Sequence, residues 1–254
     1  MAICPSKPQF TIGGVRIDAV SLTDTISVID HWIKTRNKDY IVLTGAHGVI
    51  EMRHDEQLKL INNLAGLVTP DGMSVVWVGK SRGFSTIEKV CASNIMLSTF
   101  KEGVAKGYRH FFYGGAEGVA ELLAARLRQK HPGFDVAGTY CPPFRQLTDA
   151  EISKTANNIN STNPDIVWCG LGCPKQERWM ARFRPLLNAP VLIGVGAGFD
   201  FLSGGKPLAP NWVHRSGFEW LFRVLSEPRR LGPRYARVIP GFIYIALAEA
   251  WGIK

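Results

Sequence analysis

One carboxylate stands out by its setting. In "LVTPDG", Asp71 ends a short apolar run and precedes a glycine. A lone carboxylate at the carboxyl end of a strand is placed to act as a general base. Pro-Asp-Gly is also strong turn chemistry, so the local sequence leaves a turn or N-cap residue as the plainer reading. Asp200, in "GAGFDFLSGG", poses the same choice. In "GLGCPKQERWM" glycines end a strand, Pro174 suits an early helical position, and Lys175, Gln176 and Glu177 crowd the first turn. Lys and Gln in that place suit a sugar or a phosphate; solvated surface residues are the alternative. "YGGAEG" sets Gly114 and Gly115 just before a helix, where bare amides can cradle phosphate. An ordinary tight turn explains it as well.

Other chemistries fit poorly. The glycine pattern at Gly114 is not a full G-x-G-x-x-G. The next strand, "FDVAGTY", ends in Thr139-Tyr140 without an acidic ribose ligand, which disfavours dinucleotide binding. "DGMSVVWVGKS" has the wrong spacing for a phosphate-binding P-loop. There is no G-x-S-x-G elbow. No Asp-x-Asp occurs and the His are scattered, so no protein-bound metal is expected. His47 and His54 lie seven apart on a helical pattern and read as structural or solvated.

These residues need elements to hold them. "FTIGGVRIDAVS" reads as a hairpin about Gly13-Gly14. Thr23 or Asp24 then caps a helix with Ile26, Ile29, Trp32 and Ile33 on one face. After it, short apolar runs alternate with helical patterns. The strands are "YIVLTG", "GLVTPDG", "YRHFFYGG", "FDVAGTY", "DIVWCGLG" and "PVLIGVGAGFD". Helices are expected over Val49–Leu64, Gly72–Gly79, Asn94–Lys106, "EGVAELLAARLRQ", "TDAEISKTANNIN" with Thr148 as cap, and "KQERWMARFRPLL". Strand then helix, repeated, with strands apolar on both faces, predicts an α/β fold: a parallel sheet with helices on both sides. Ligands of such sheets bind where strands end and helices begin. The junctions hold Thr44, Asp71, Gly114-Gly115, Gly170 to Gln176, and Gly196 to Asp200.

Composition bounds the rest. The chain has 254 residues, 46% of them hydrophobic, enough for a large core. A net charge of +9 points to anionic partners without choosing among them. Cys4, Cys91, Cys141, Cys169 and Cys173 are an odd set without CxxC pairs, and read as free thiols in a reducing cytosol. "MAICPSKPQF" has no apolar core of a signal peptide. The alternation stops near Leu208–Asn211, which divides the chain into residues 1–210 and a helical, basic and aromatic appendage, 211–254. In "GFEWLFRVLSE", Phe218, Leu221, Phe222 and Leu225 recur at helical spacing, a face expected to pack on the protein's own core. Pro228 and Pro233 are expected to interrupt the helix, and Arg229, Arg230, Arg234 and Arg237 cluster around them. "VIPGFIYIALAEAW" is too short, and too broken by Pro240, Gly241 and Glu249, to cross a bilayer, but it can lie on one. With no cation after Arg237 until Lys254, the segment reads as a salt-sensitive membrane contact. Its removal is expected to leave a folded core.

"TPDGMSVVW", "GLGCPKQERWM", "GVGAGFDFLSGGKPLAPNW" and "GFEWLFRVLSEPRRLGPRY" occur in order. Together they resemble the bacterial WecG/TagA/CpsF glycosyltransferases, from about Phe10 to the C-terminus. The resemblance implies a Rossmann-like domain with a helical C-terminal appendage. It implies inverting transfer, without metal or cofactor, from a UDP-sugar donor to a polyprenyl-diphosphate-linked acceptor in cell-surface polysaccharide synthesis. The enzyme would be cytoplasmic and peripheral on the inner face of the cell membrane, on an anionic surface, with self-association left open and no nucleic acid bound. Asp71 is the implied base. Thr44, Gln176 and Asp200 match family site positions, and Arg223, Arg230 and Arg234 are implied to reach the diphosphate. The sequence departs from the family pattern at Ala46, where many members have Asn, and at Lys89, Ala92 and Asn94, where many have Arg, Gly and Asp. "LAP" stands for the usual Arg-Ala-Pro. Lys89 and Asn94 join the expected substrate contacts, and the donor is open: N-acetylmannosamine, its uronic acid, or a hexose or hexuronic acid. The competing reading is a basic α/β module that grips nucleic acid through its C-terminal arginines, but it gives Asp71, Gln176 and Asp200 no reason to gather at strand ends.

Overall fold

A computed structural model describes residues 7–207 and 209–252. Cys4, Leu208 and Lys254 lie outside the described residues. The chain opens with a hairpin, β1 (Gln9–Ile12) and β2 (Val15–Asp18), turning on Gly13 and Gly14 at φ 59° and 76°. These left-handed angles suit a turn whose twist matches the strands. α1 (Leu22–Thr35) follows. Its cap is Ser21 rather than Thr23 or Asp24: the Asp24 amide donates to the Ser21 hydroxyl, and the Ser21 amide to the Asp24 carboxylate. Asp24 is thus the far half of a capping box.

The main sheet contains six parallel strands: β3 (Asp39–Thr44), β4 (Leu67–Pro70), β5 (Arg109–Gly114), β6 (Asp135–Tyr140), β7 (Ile166–Gly170) and β8 (Val191–Gly194). They run in the spatial order β4-β3-β8-β7-β5-β6. Central strands such as Ile166–Cys169 and Val191–Ile193 have no exposed surface, which is why they read as unbroken apolar runs. The stretch Val49–Leu64 is two helices, α2 (Ala46–Arg53) and α3 (Glu56–Leu64), because Asp55 caps the second through the Leu58 amide. α4 (Met73–Ser81), α5 (Ala92–Lys106), α6 (Val119–Lys130), α7 (Asp149–Ser161) and α8 (Lys175–Phe183) fall close to the expected segments. "PVLIGVGAGFD" is not one strand. β8 stops at Gly194, Gly196 turns at φ 50°, and α9 (Gly198–Leu202) carries Asp200.

The helices cover both faces. α2, α3, α4, α7 and α8 share one core with the hairpin; α1, α5, α6 and α9 share the other. α6 after β5 and α8 after β7 therefore leave adjacent strands toward opposite faces, which opens a crevice between the two strand ends.

The appendage departs from expectation twice. It comprises α10 (Asn211–Ser216), α11 (Glu219–Ser226) and α12 (Pro228–Ala250). Pro233 does not break α12. Pro228 starts the helix, and α12 runs on through Pro233 and Pro240 because burial of Leu231, Val238, Phe242 and Ile245 outweighs the lost N–H bonds. The stripe on α11 does not pack inward: Phe218 is 57% exposed and Leu225 73%. α11 instead turns Glu219, Trp220 and Arg223 toward the protein. Val238, Phe242 and Ile245 enter the hairpin-side core, and Glu249 accepts from the Gly13 amide and pairs with Arg82. Full burial of such side chains contributes about 1.5–3 kcal/mol each. A cut at residue 210 would uncover them, so the α/β unit would lose part of its core with the appendage. Phe242→Ala should lower stability by about 3–5 kcal/mol. Denaturant unfolding checks this; a loss below about 1 kcal/mol would show that the seam is not anchored there.

Candidate active site

Asp71 sits where β3 and β4 end side by side. Its amide donates to the Thr44 carbonyl at 3.0 Å. A Cβ at Gly45 would lie 2.2 Å from the Asp71 carbonyl oxygen, so only glycine allows this approach. Gly72 takes φ 126° and starts α4. These backbone constraints fix Asp71 at the strand ends, half-buried. Thr44 lies beneath it, fully buried, its hydroxyl donating to Asn62 Oδ1 at 2.7 Å. Thr44 therefore supports Asp71 through the backbone. Lys89 lies in the segment between α4 and α5, where the Val90 amide donates to the Pro70 carbonyl at 2.9 Å. Asn94 is on the first turn of α5.

The appendage meets this corner. Lys89 Nζ pairs with Glu219, and Arg223 binds the same carboxylate through Nε at 3.0 Å and Nη2 at 2.5 Å. Burial opposes the Arg223 cation, but the charges of Glu219 and then Asp71 outweigh it and raise its pKa. Tyr235 of α12 also faces this group: burial raises its phenol pKa, and the charges of Arg223, Asp71, Glu219 and Arg234 act on it. Tyr235 escaped the sequence reading because nothing local marks an aromatic in "LGPRYARV"; its place depends on how α12 packs. Beside these, Asp200 is 3.5 Å from Lys206, which lies 3.1 Å from Glu227. Arg230 Nε donates to Glu227 at 2.5 Å and holds that carboxyl down to about 2. The charges of Asp200 and Arg223 both act on Arg230, which joins the two groups. Arg234 lies toward the loops after β3 and β7, where its charge acts on His47 and Cys173.

The crevice between β5 and β7 is built differently. Gly114 and Gly115 take φ 98° and 82°, and the Gly115 amide donates to the Gly170 carbonyl at 3.0 Å. That amide is engaged within the protein. Gln176 and Glu177 are buried, not solvated, at 4% and 1% exposure. Gln176 Oε1 accepts from the Gly172 amide at 3.2 Å and the Gly196 amide at 2.8 Å, and its Nε2 donates to Glu177 Oε1 at 3.0 Å. One amide thus ties the loops after β7 and β8 together. Lys175 points elsewhere, its ammonium 4.2 Å from the centre of the exposed Phe144 ring. The structure therefore gathers Asp71, Lys89, Arg223 and Tyr235 at one corner with Asp200 and Arg230 beside it. Thr44 supports Asp71 through the backbone, Gln176 braces the loops after β7 and β8, and Lys175 points toward Phe144.

Among the described residues, no three His, Cys, Asp or Glu group as a metal site would need. Cys91, Cys141, Cys169 and Cys173 are free thiols.

A model of the "Glycosyl transferase WecG/TagA/CpsF family" matches residues 10–254. The chain belongs to this family, and it is a glycosyltransferase. Three relatives are each named "N-acetylglucosaminyldiphosphoundecaprenol N-acetyl-beta-D-mannosaminyltransferase". That of Bacillus spizizenii is 28% identical over 82% of this chain and 80% of its own length. That of Bacillus subtilis is 30% identical over 69% and 68%. That of Staphylococcus aureus strain MW2 is 24% identical over 91% and 89%.

Burial makes the Glu177 carboxyl titrate above its ordinary 4.5, against the opposing pull of its own amide and of Gln176. Above pH 4.5 an unfolded chain releases this proton while the folded glycosyltransferase keeps it. Stability is then lost as pH rises from 4.5 toward the folded-state value. Glu177→Gln keeps the acceptor for Gln176 and removes the titration. Its Tm relative to the parent should climb as pH rises through that window. A difference that stays flat with pH in thermal unfolding would show that Glu177 titrates normally.

Proposed function

We propose that this glycosyltransferase moves a sugar from a UDP-sugar to a polyprenyl-diphosphate-linked saccharide, with inversion and without a metal, in the synthesis of a bacterial surface polymer. The observation that carries the reading is the meeting of Asp71, at the end of β4, with Arg223 and Tyr235 of the appendage. Asp71 takes the proton of the acceptor hydroxyl as its oxygen attacks the donor's anomeric carbon. The bond from that carbon to the diphosphate breaks on the opposite face, so the configuration inverts. One base is enough for a single displacement.

The leaving diphosphate needs positive charge in place before it departs. Lys89, Arg223, Arg230 and Lys206 supply it around one corner, so a bridging metal is not required. Asp200 and Asn94 are assigned to the donor sugar. The names of the relatives support an N-acetylglucosaminyl-diphospho-lipid acceptor and an N-acetylmannosaminyl donor. Ala46, Lys89 and Asn94 depart from the family pattern, which keeps N-acetylmannosaminuronic acid and the hexose or hexuronic acid donors in the panel to be assayed.

A lipid-linked acceptor requires the enzyme to work at a bilayer surface. Among the described residues no helix is long and apolar enough to cross a membrane. The appendage instead presents Trp212, Phe218, Leu225, Tyr244 and Trp251, all more than half exposed, beside Arg229 and Arg237. Aromatic and basic side chains together favour the membrane interface, each basic residue by about 1 kcal/mol on an anionic leaflet. These side chains support a peripheral position, which we assign to the inner face of the cell membrane.

Asp71→Asn should keep the fold, since Asn also tolerates this turn, and lose transfer by about 10²-fold or more. Near-parental turnover with the best donor of the panel would remove Asp71 from the chemistry. Transfer should also persist in EDTA; loss in chelator with recovery on adding Mg²⁺ or Mn²⁺ would overturn the metal-free reading.

A further inference from the structure

α11 and α12 pack against each other and leave a groove of about 320 Å³ between them. That is at the lower end of the sizes that hold small ligands, which begin at about 300 Å³. Trp220, Val224, Gly232, Tyr235, Ile239 and Pro240 line it, and no charged side chain does. Trp220 and Tyr235 form one wall, their ring centres 5.9 Å apart.

We propose that this groove holds the first isoprene units of the acceptor's polyprenyl chain. The proposal rests on the functional reading above, in which the acceptor is a polyprenyl diphosphate. Its support is position. Tyr235 belongs to both places: its ring lines the groove, and the charges of Asp71, Arg223 and Arg234 act on its phenol. The groove therefore begins where the candidate site ends. A polyprenyl diphosphate has the same order of parts, with an apolar chain attached directly to a strongly anionic group. With the anion held by arginines near Asp71, the chain next to it needs an apolar trough at that spot, because leaving apolar surface in water is unfavourable.

Gly232 adds a second observation. It lies inside α12, where glycine is a poor helix former. Its φ is not in the left-handed region, and an added Cβ would meet nothing within 4 Å. Neither backbone conformation nor crowding calls for glycine here. What its missing side chain leaves is room in the groove.

Gly232→Leu tests this directly, because the backbone accepts a side chain and helix propensity improves. Two acceptors with the same saccharide diphosphate are compared, one on a long polyprenyl chain and one on a short alkyl chain that ends before the groove. Gly232→Leu should raise KM for the polyprenyl acceptor by about tenfold, the scale of a steric mismatch in an apolar pocket. It should leave kcat/KM for the short-chain acceptor unchanged. Gly232→Ala, which adds only a methyl group, should fall between the parent and the leucine variant. Equal effects on both acceptors, or none on either, would overturn the proposal. So would two other results that name a different occupant: lost sedimentation with anionic vesicles would assign the groove to a bilayer acyl chain, and a changed oligomeric mass to a second copy of the chain. Parental transfer to the short-chain acceptor tests the functional reading alone. The ratio between the two acceptors tests the groove.

Discussion

The seam between α12 and the hairpin side of the core carries the arrangement of the site. Val238, Phe242 and Ile245 are buried there, and Glu249 ties the far end of the helix to the hairpin turn and to Arg82. These contacts, apolar along the helix and polar at its end, join residues far apart in sequence and set the position of everything earlier in the appendage. Tyr235 lies one helical turn before Val238. Arg223 follows because Trp220 of α11 packs near Tyr235. Without the seam, Asp71 would stand at the end of β4 with no cation from the appendage beside it.

Charge on this corner is balanced from within. Arg223 is met by Glu219, Arg230 by Glu227, and Arg237 by Glu51. Lys206 stands between Asp200 and Glu227. Two of these pairs, Glu219–Arg223 and Glu227–Arg230, are four and three residues apart, so they form without long-range rearrangement. They hold long cationic side chains in defined places, which reduces the ordering left for substrate to impose. An incoming diphosphate can then compete with carboxylates for cations already near their working positions.

The strand-end loops depend on buried polar groups rather than on exposed ones. Gln176 spans two loops through two backbone amides, and Glu177 orients its other end. The Thr44 hydroxyl is held by Asn62. Buried polar groups of this kind are costly when unpaired, so each partner constrains the next. The result is a floor in which Thr44 and Asn62 hold one another, as do Gln176 and Glu177.

Much of the α/β unit was legible in the sequence. Apolar runs of strand length, separated by amphipathic segments and ended by glycines, specify a two-sided parallel sheet because such strands must be buried on both faces. The order of its strands was not legible, since spatial order depends on long-range pairing. Pro-Asp-Gly marked Asp71 as a residue at a strand end, and the four motif blocks marked the family. Other features needed the tertiary structure. Local signals suggested breaks at Pro233 and an inward stripe on α11, and both gave way to packing: α12 continues because one face is buried, and the stripe faces out because α11 is held by its other side. Lys175 and Gln176 are neighbours in sequence, yet one points to solvent over Phe144 and the other is locked beneath the loops. Adjacent positions on a helix lie on different faces, so chain order alone could not tell them apart. Tyr235 lies within electrostatic reach of Asp71 although the two are far apart in sequence, and only the burial of α12 decides that proximity.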